Sequence, residues 1–390
     1  MKVWSRLALV LGACLFAGVM VEIGLRLLDY SRPVFYRYDE ILGADLRPNV
    51  AGYFKKEDLI YVRLNEDSMR GPLRHRKKPP STRRVAVLGD SFTEGFQVNF
   101  ENLFTTVLER ELARCAPKGL SAEVLNFGVS GFGTARAILK YREQARHYDP
   151  DVVLLMFYPG NDYADNHRQL EQNPLLPYFV MKGDELVLDD GFRSLEKFQT
   201  KLKYSNFRNA IVNWSRMLQL VNEVIVAWKS GGLFERYGDR DLEPEPVPLP
   251  YIDPVEPVWR EARNVTDHML NRLAAEVESE GRLFVLANVV SGSETHRDPA
   301  LRSAWDAAQR GAGFMGEEIR LRDLAQDSGF QFIGLLAPLR EYVDRSGDDL
   351  FFFEYLNRSG GHWNKIGHHV VGTVLAEEMC PMLWREASSS

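Results

Sequence analysis

Four short segments, far apart along the chain, carry side chains suited to moving an acyl group. The first is Gly89-Asp90-Ser91, directly after the apolar run Val85-Ala86-Val87-Leu88. A serine between a buried strand and a helix exposes its Oγ at the sheet edge, where free N–H groups and the helix dipole favour negative charge. Ser91 is therefore a candidate nucleophile, or an ordinary N-cap. The second segment runs from Asn126 to Gly133 and holds Gly128, Gly131 and Gly133. Such glycines either present backbone N–H groups to a ligand or only turn the chain. In the third, Tyr158-Pro159-Gly160-Asn161-Asp162, the Asn161 carboxamide is a neutral donor for a developing oxyanion, or the core of an Asx-turn. The fourth is Ser359-Gly360-Gly361-His362-Trp363, whose imidazole could take a proton from serine and return it to a leaving group. His368 and His369 fall inside a predicted helix and read as structural. Their spacing from His362 is poor for chelation, so no metal is expected.

These segments matter because each ends a strand. "RVAVLG", "AEVLNFG", "PDVVLLMFY", "RLFVLANVV" and "FQFIGLLAPL" are apolar runs of the kind buried on both faces of a parallel sheet. Helical patterns separate them: "NFENLFTTVLERELARC", "TARAILKYREQARHY", "VWREARNVTDHMLNRLAAEVESEG" and "FMGEEIRLRDLAQDSG", with a last helix from near Trp363 to about Cys380. Five strands alternating with helices predict a three-layer α/β/α domain with a five-stranded parallel sheet. In such sheets functional groups gather at the carboxyl ends of the strands. The domain is expected over 84–165 and 258–385. An insertion at 166–257 interrupts it, with a hairpin ("PYFVMKGDELVLDDG"), apolar-patterned helices and the loop "DLEPEPVPLPYIDPVEP". "EASSS" reads as a frayed end.

Upstream, Lys2 and Arg6 precede Leu7–Val21, which holds no charge, and apolar residues continue to Leu28 around Glu22 and Arg26. That length suits one membrane span with the two charges near the headgroups, and the basic residues favour a cytoplasmic N-terminus. A cleaved signal peptide, or a lipoprotein signal ending at Cys14, is the competing reading. The apolar "LFAGVMV" after Cys14 and the missing cleavage site favour an uncleaved anchor over 1–30. Residues 31–83 then form a stalk and small extension, whose charge run Arg74–Lys78 reads as a solvated loop. With a net charge of -6 the chain offers no electrostatic footing for nucleic acid. Cys115 and Cys380, the cysteines outside the anchor, are either a disulfide or two buried thiols.

Taken together, the four segments resemble the SGNH/GDSL hydrolase superfamily, with Ser91, Gly131, Asn161 and His362 at the four signature positions. The resemblance covers about 84–163 and 281–380. It implies a flavodoxin-like fold and ester hydrolysis or acyl transfer without a metal or organic cofactor. Ser91 would attack, His362 would act as base, and the N–H groups of Ser91 and Gly131 with the Asn161 side chain would form the oxyanion hole. One position departs. The family sets an aspartate two or three residues before the histidine, and here Gly360 and Ser359 stand there. Asp348, Asp349 or Glu354 from the preceding loop is expected to orient the ring, or else a backbone carbonyl or Ser359 does. The implied topology puts the first and last helices on one face, ending at the edge away from the site, and so pairs Cys115 with Cys380.

The same resemblance implies a substrate. An anchored domain outside the cytoplasm, in the periplasm or beyond a bacterial inner membrane, meets envelope and extracellular esters. His362-Trp363 also resembles alginate O-acetyltransferases. An esterase acting on acyl, above all acetyl, groups of carbohydrate is the first expectation. A polysaccharide O-acetyltransferase is the second, and a catalytically weak glycan-binding protein, suggested by the missing acid, is the third.

Overall fold

The computed structural model describes residues 2–229, 256–308 and 313–384. Five parallel strands form the central sheet: β1 (Thr82–Leu88), β2 (Ser121–Asn126), β3 (Val152–Phe157), β4 (Leu283–Asn288) and β5 (Gln331–Ile333). Their spatial order is 2-1-3-4-5, the doubly wound flavodoxin-like order, whose topological switch point lies between β1 and β3. In register, Val85 stands beside Val124 of β2 and Val152 of β3.

The main helices are α1 (Lys2–Leu27), α2 (Phe104–Arg114), α3 (Thr134–Glu143), α4 (Asn206–Trp214), α5 (Arg216–Lys229), α6 (Pro257–Ser279), α7 (Gly313–Ser328), α8 (Leu336–Ser346) and α9 (Lys365–Trp384), with a further helix at Pro299–Ala308 and shorter turns between. Strand alternation sorts the core into two layers. Val85 and Val87 pack with Phe104, Leu108 and Leu112 of α2 and with Leu375 and Met379 of α9. Ala86 and Leu88 face Ile138 and Tyr141 of α3 and Met269 and Leu273 of α6. The three-layer α/β/α class expected from the sequence is thus present.

Three details differ from expectation. β5 stops at Ile333, and most of "GLLAPL" begins α8, because a short apolar run fits a buried helix start as well as a strand. Helix Pro299–Ala308 was not anticipated. The run Arg74–Lys78 is not simply solvated: Arg74 pairs with Glu109 and Glu123, and Lys78 with Asp151.

Ahead of the sheet, two antiparallel hairpins fill part of 31–83: Tyr36–Asp39 with Gly43–Leu46, and Ala51–Lys55 with Leu59–Arg63. Leu59–Arg63 alternates strictly, burying Ile60 and Val62 while Leu59, Tyr61 and Arg63 face water. Ile60 and Val62 join Phe35, Phe96, Val129 and Phe132 in a separate cluster. Each such side chain contributes about 1.5–3 kcal/mol, so the hairpin is seated firmly on the loops after β1 and β2. In the insertion, Tyr178–Lys182 pairs with Glu185–Asp189. The Pro-rich loop lies mostly, and the "EASSS" end wholly, outside the described residues. Cys115, at the end of α2, is joined to Cys380 of α9 by a disulfide.

Candidate active site

Ser91 follows β1 across Gly89, whose φ of +154° suits glycine alone. Asp90 caps the turn, its Oδ1 accepting from the Phe92 N–H at 2.9 Å. The helix that follows is a single turn, Ser91–Glu94, ended by Gly95 in the left-handed region. A macrodipole therefore adds little at Ser91, contrary to the sequence expectation; local N–H groups remain. Asn126 ties the next loop to this turn, accepting from Gly128 N–H at 2.9 Å and donating to the Thr93 carbonyl at 2.6 Å.

His362 arrives from the other end of the chain. Trp363 is wholly buried and sits edge-on to Phe92, with ring centroids 4.8 Å apart. Asn364 caps α9, accepting from the N–H groups of Ile366 and Gly367, and also holds the carbonyls of Asp349 and Phe352. Anchored by the two residues that follow it, His362 places Nε2 2.7 Å from Ser91 Oγ.

The ring's other nitrogen meets a residue that sequence reasoning missed. His362 Nδ1 lies 2.7 Å from Glu57 Oε1, and the Gly361 N–H donates to the same oxygen at 2.8 Å. Glu57 sits in the turn of the hairpin Ala51–Arg63, 305 residues away in sequence. Burial pushes its carboxyl up, but the His362 hydrogen bond and charge, with the Gly361 N–H, hold it below the ordinary range. An ionised Glu57 fixes the proton on Nδ1 and leaves Nε2 as the acceptor for the serine hydroxyl.

The expected acids are engaged elsewhere. Asp348 accepts from the Tyr342 hydroxyl, Asp349 from Phe351 N–H and the Ser359 hydroxyl, and Glu354 is exposed. Ser359 thus spends its donor on Asp349 and does not orient His362. Gly360 shows why the usual acid position is empty. A Cβ there would come within 2.9 Å of Glu57 Cγ and 3.0 Å of Oε1, so the hairpin carboxylate occupies the space. The one sequence signal was the missing acid at positions 359 and 360; nothing marked Glu57 as its replacement.

Asn161 lies beside Ser91 across the β1–β3 switch point, its Nδ2 donating to Asp90 Oδ2 at 3.0 Å. One amide hydrogen is so committed, and Asn161 Oδ1 is buried without a hydrogen-bond partner. Burial raises the Asp90 carboxyl, against the Phe92 N–H and the Asn161 amide. Gly131, with Ser130, is the exposed tip of an otherwise buried loop after β2; its φ is +74°, and an added Cβ would meet little there. Behind this loop, buried Glu94 accepts from Ser130 N–H at 3.0 Å and from the Tyr36 hydroxyl at 2.8 Å, and burial pushes it up to about 7. His368 is buried against Phe104, accepts from the Phe104 N–H, and is pushed down to about 3 by burial. It is a neutral core residue. Among the described residues no cluster of His, Cys, Asp and Glu is arranged to hold a metal.

No family model matches the chain, and no curated relative matches it. Solved structures similar to it include an acetyl xylan esterase, AlAXEase, at 13% identity and a TM-score of 0.38 over 76% of this chain and 98% of that one. A catalytic mutant of an acetylxylan esterase from Geobacillus stearothermophilus follows at 12%, with a TM-score of 0.37 over 76% and 94%. A lipase/acylhydrolase from Enterococcus faecalis stands at 13%, with a TM-score of 0.37 over 77% and 97%.

Proposed function

We propose that the protein is a serine ester hydrolase of the SGNH type, acting on acyl esters, above all O-acetyl groups, of envelope or extracellular carbohydrate. The observation that carries this reading is the unbroken chain Ser91–His362–Glu57, two contacts of 2.7 Å each. Ser91 Oγ attacks the acyl carbon while its proton passes to His362 Nε2, and Glu57 stabilises the imidazolium that forms. The tetrahedral oxyanion takes hydrogen bonds from the N–H groups of Ser91 and Gly131 and from the remaining amide hydrogen of Asn161. Collapse breaks the ester C–O bond, and Nε2 returns its proton to the departing alcohol oxygen. Water, activated by the same nitrogen, then attacks the acyl-serine carbon and frees the carboxylic acid.

Carbohydrate is proposed as the bearer of the acyl group because the His362-Trp363 pair resembles that of alginate O-acetyltransferases. Glu57 also removes the reason for reading the domain as catalytically weak. Val3–Leu27 is long and apolar enough to cross a membrane, a property shared with signal sequences. Retention as an anchor is supported by the contacts Glu22 makes with Ser215 and Met217, which a cleaved leader would not keep.

Labelling by a fluorophosphonate probe tests the nucleophile. The intact chain should label and hydrolyse p-nitrophenyl acetate, and Ser91→Ala should lose labelling and about 10⁴-fold or more of the turnover. Undiminished labelling of Ser91→Ala would overturn the assignment. Adding a glycan acceptor separates hydrolysis from transfer, since a transferase moves the acetyl group to sugar in preference to water.

A further inference from the structure

The insertion carries a surface that the catalytic rim does not use. α4 and α5 meet at the elbow Trp214–Ser215 and clasp the end of α1. The Glu22 carboxylate accepts from the Ser215 hydroxyl at 2.8 Å and from the N–H groups of Arg216 and Met217 at 3.0 and 2.9 Å, at the start of α5. Arg26 pairs with Glu22 and donates to the Trp214 carbonyl at the end of α4. An anion at a helix start and a cation at a helix end are both favoured placements. The two charges that interrupt the apolar segment are therefore the ones that hold the insertion. Just beyond, the Tyr30 hydroxyl donates to Glu223 and the Arg32 N–H to Gln219.

From this junction two apolar stripes face outward. Tyr204, Phe207, Ile211 and Trp214 recur at helical spacing along α4 and the turn before it, and Val221, Val224, Ile225 and Trp228 do so on α5. All eight are between 43% and 81% exposed, whereas a stripe of this kind ordinarily faces a core. Three of the eight are tyrosine or tryptophan, residues that favour the membrane–water boundary. Charge agrees: over 196–229 there are six basic residues, Lys197, Lys201, Lys203, Arg208, Arg216 and Lys229, against Glu196 and Glu223, in a chain of net charge -6. Apolar stripes flanked by basic side chains are the composition of helices that lie in an anionic lipid interface.

We infer that α4 and α5 form a second membrane attachment, their stripes seated in the interfacial layer of the bilayer that α1 crosses. This rests on reading α1 as a retained anchor. The insertion then sets the height and tilt of the catalytic rim over the lipid surface.

The test uses the full chain with Cys14→Ser, in nanodiscs of phosphatidylcholine and phosphatidylglycerol, carrying one fluorophore on a cysteine introduced at Phe207 or Ile225. Val10→Cys in α1 and Leu73→Cys in an exposed loop serve as references, and thermal melts confirm that each variant is folded. Quenching is measured with nitroxide on the lipid and with iodide in the water. Positions 207 and 225 should resemble position 10, strongly quenched from the lipid, and should be several-fold less open to iodide than position 73. If 207 and 225 behave like 73 while 10 is quenched from the lipid, the inference fails and the anchor stands. Shielding from both quenchers would mean a protein cover and would also overturn it. If position 10 escapes lipid quenching, the anchor reading falls and this inference with it.

Discussion

Two segments approach His362 with acidic residues, and only one supplies a carboxylate to the ring. The loop 347–361 is adjacent in sequence and contains Asp348, Asp349 and Glu354. Asp348 and Asp349 are used to hold the loop, through Tyr342 of α8 and through Phe351 N–H and Ser359, while Glu354 faces water. The hairpin Ala51–Arg63 is remote in sequence, yet its turn delivers Glu57 to Nδ1. A role in a site is filled by whichever backbone reaches the required point, and nearness along the chain is a poor guide to that. Trimming the protein to its strand–helix unit would keep nucleophile and base but discard the acid.

The comparison breaks most directly at the carboxylate. Glu57→Gln should lower kcat by about 10⁴-fold with KM little changed, as loss of the orienting acid does in serine proteases. Asp348→Asn and Glu354→Gln should leave kcat at the parent value. Steady-state kinetics on p-nitrophenyl acetate decides, and an equal loss in Glu354→Gln would refute the contrast.

A sharper version exchanges the two routes. Gly360→Asp alone should crowd Glu57 and lower kcat by about 10²-fold, the scale of a displacement near 1 Å. Placed in a Glu57→Ala background the same change should raise kcat, because the vacated space admits an acid from the histidine's own loop. A further fall in the double variant would show that position 360 cannot orient the ring.

The smallest effect concerns stability. Glu57 is held low, so its contribution is present at neutral pH and is lost as the pH falls through its folded value. Glu94 has the opposite sign. Pushed up to about 7 by burial, it keeps a proton that the unfolded chain releases near 4.5. Its part of the stability therefore declines as pH rises from 4.5 to 7, by at most about 1.4 kcal/mol per pH unit. Urea midpoints at pH 5 and 7.5 should differ less in Glu94→Gln than in the parent, and an unchanged difference would count against the buried, protonated state.

The legible part of the molecule is the part written in local pattern. Val85–Leu88 and Val152–Phe157 read as parallel strands because burial on both faces leaves no polar residue in them. Once they are placed, Ser91 and Asn161 follow, since each ends a strand on either side of the switch point. Glu57 was illegible because nothing in "FKKEDLIYV" separates a turn at the surface from one pressed on a histidine. The seating depends on Ile60 and Val62 packing with Phe96 and Phe132, contacts between distant segments. The contacts of Glu22 and Arg26 with Ser215 and Trp214 were illegible for the same reason, since those partners lie nearly two hundred residues away.

The bond between Cys115 and Cys380 closes a ring of backbone around four of the five sheet strands, the whole insertion and the histidine loop. Any single proteolytic cut between those positions leaves one covalent body that migrates as two pieces only after reduction. A protease acting on the insertion can therefore nick this protein without parting the segment that bears Ser91 from the one that bears His362.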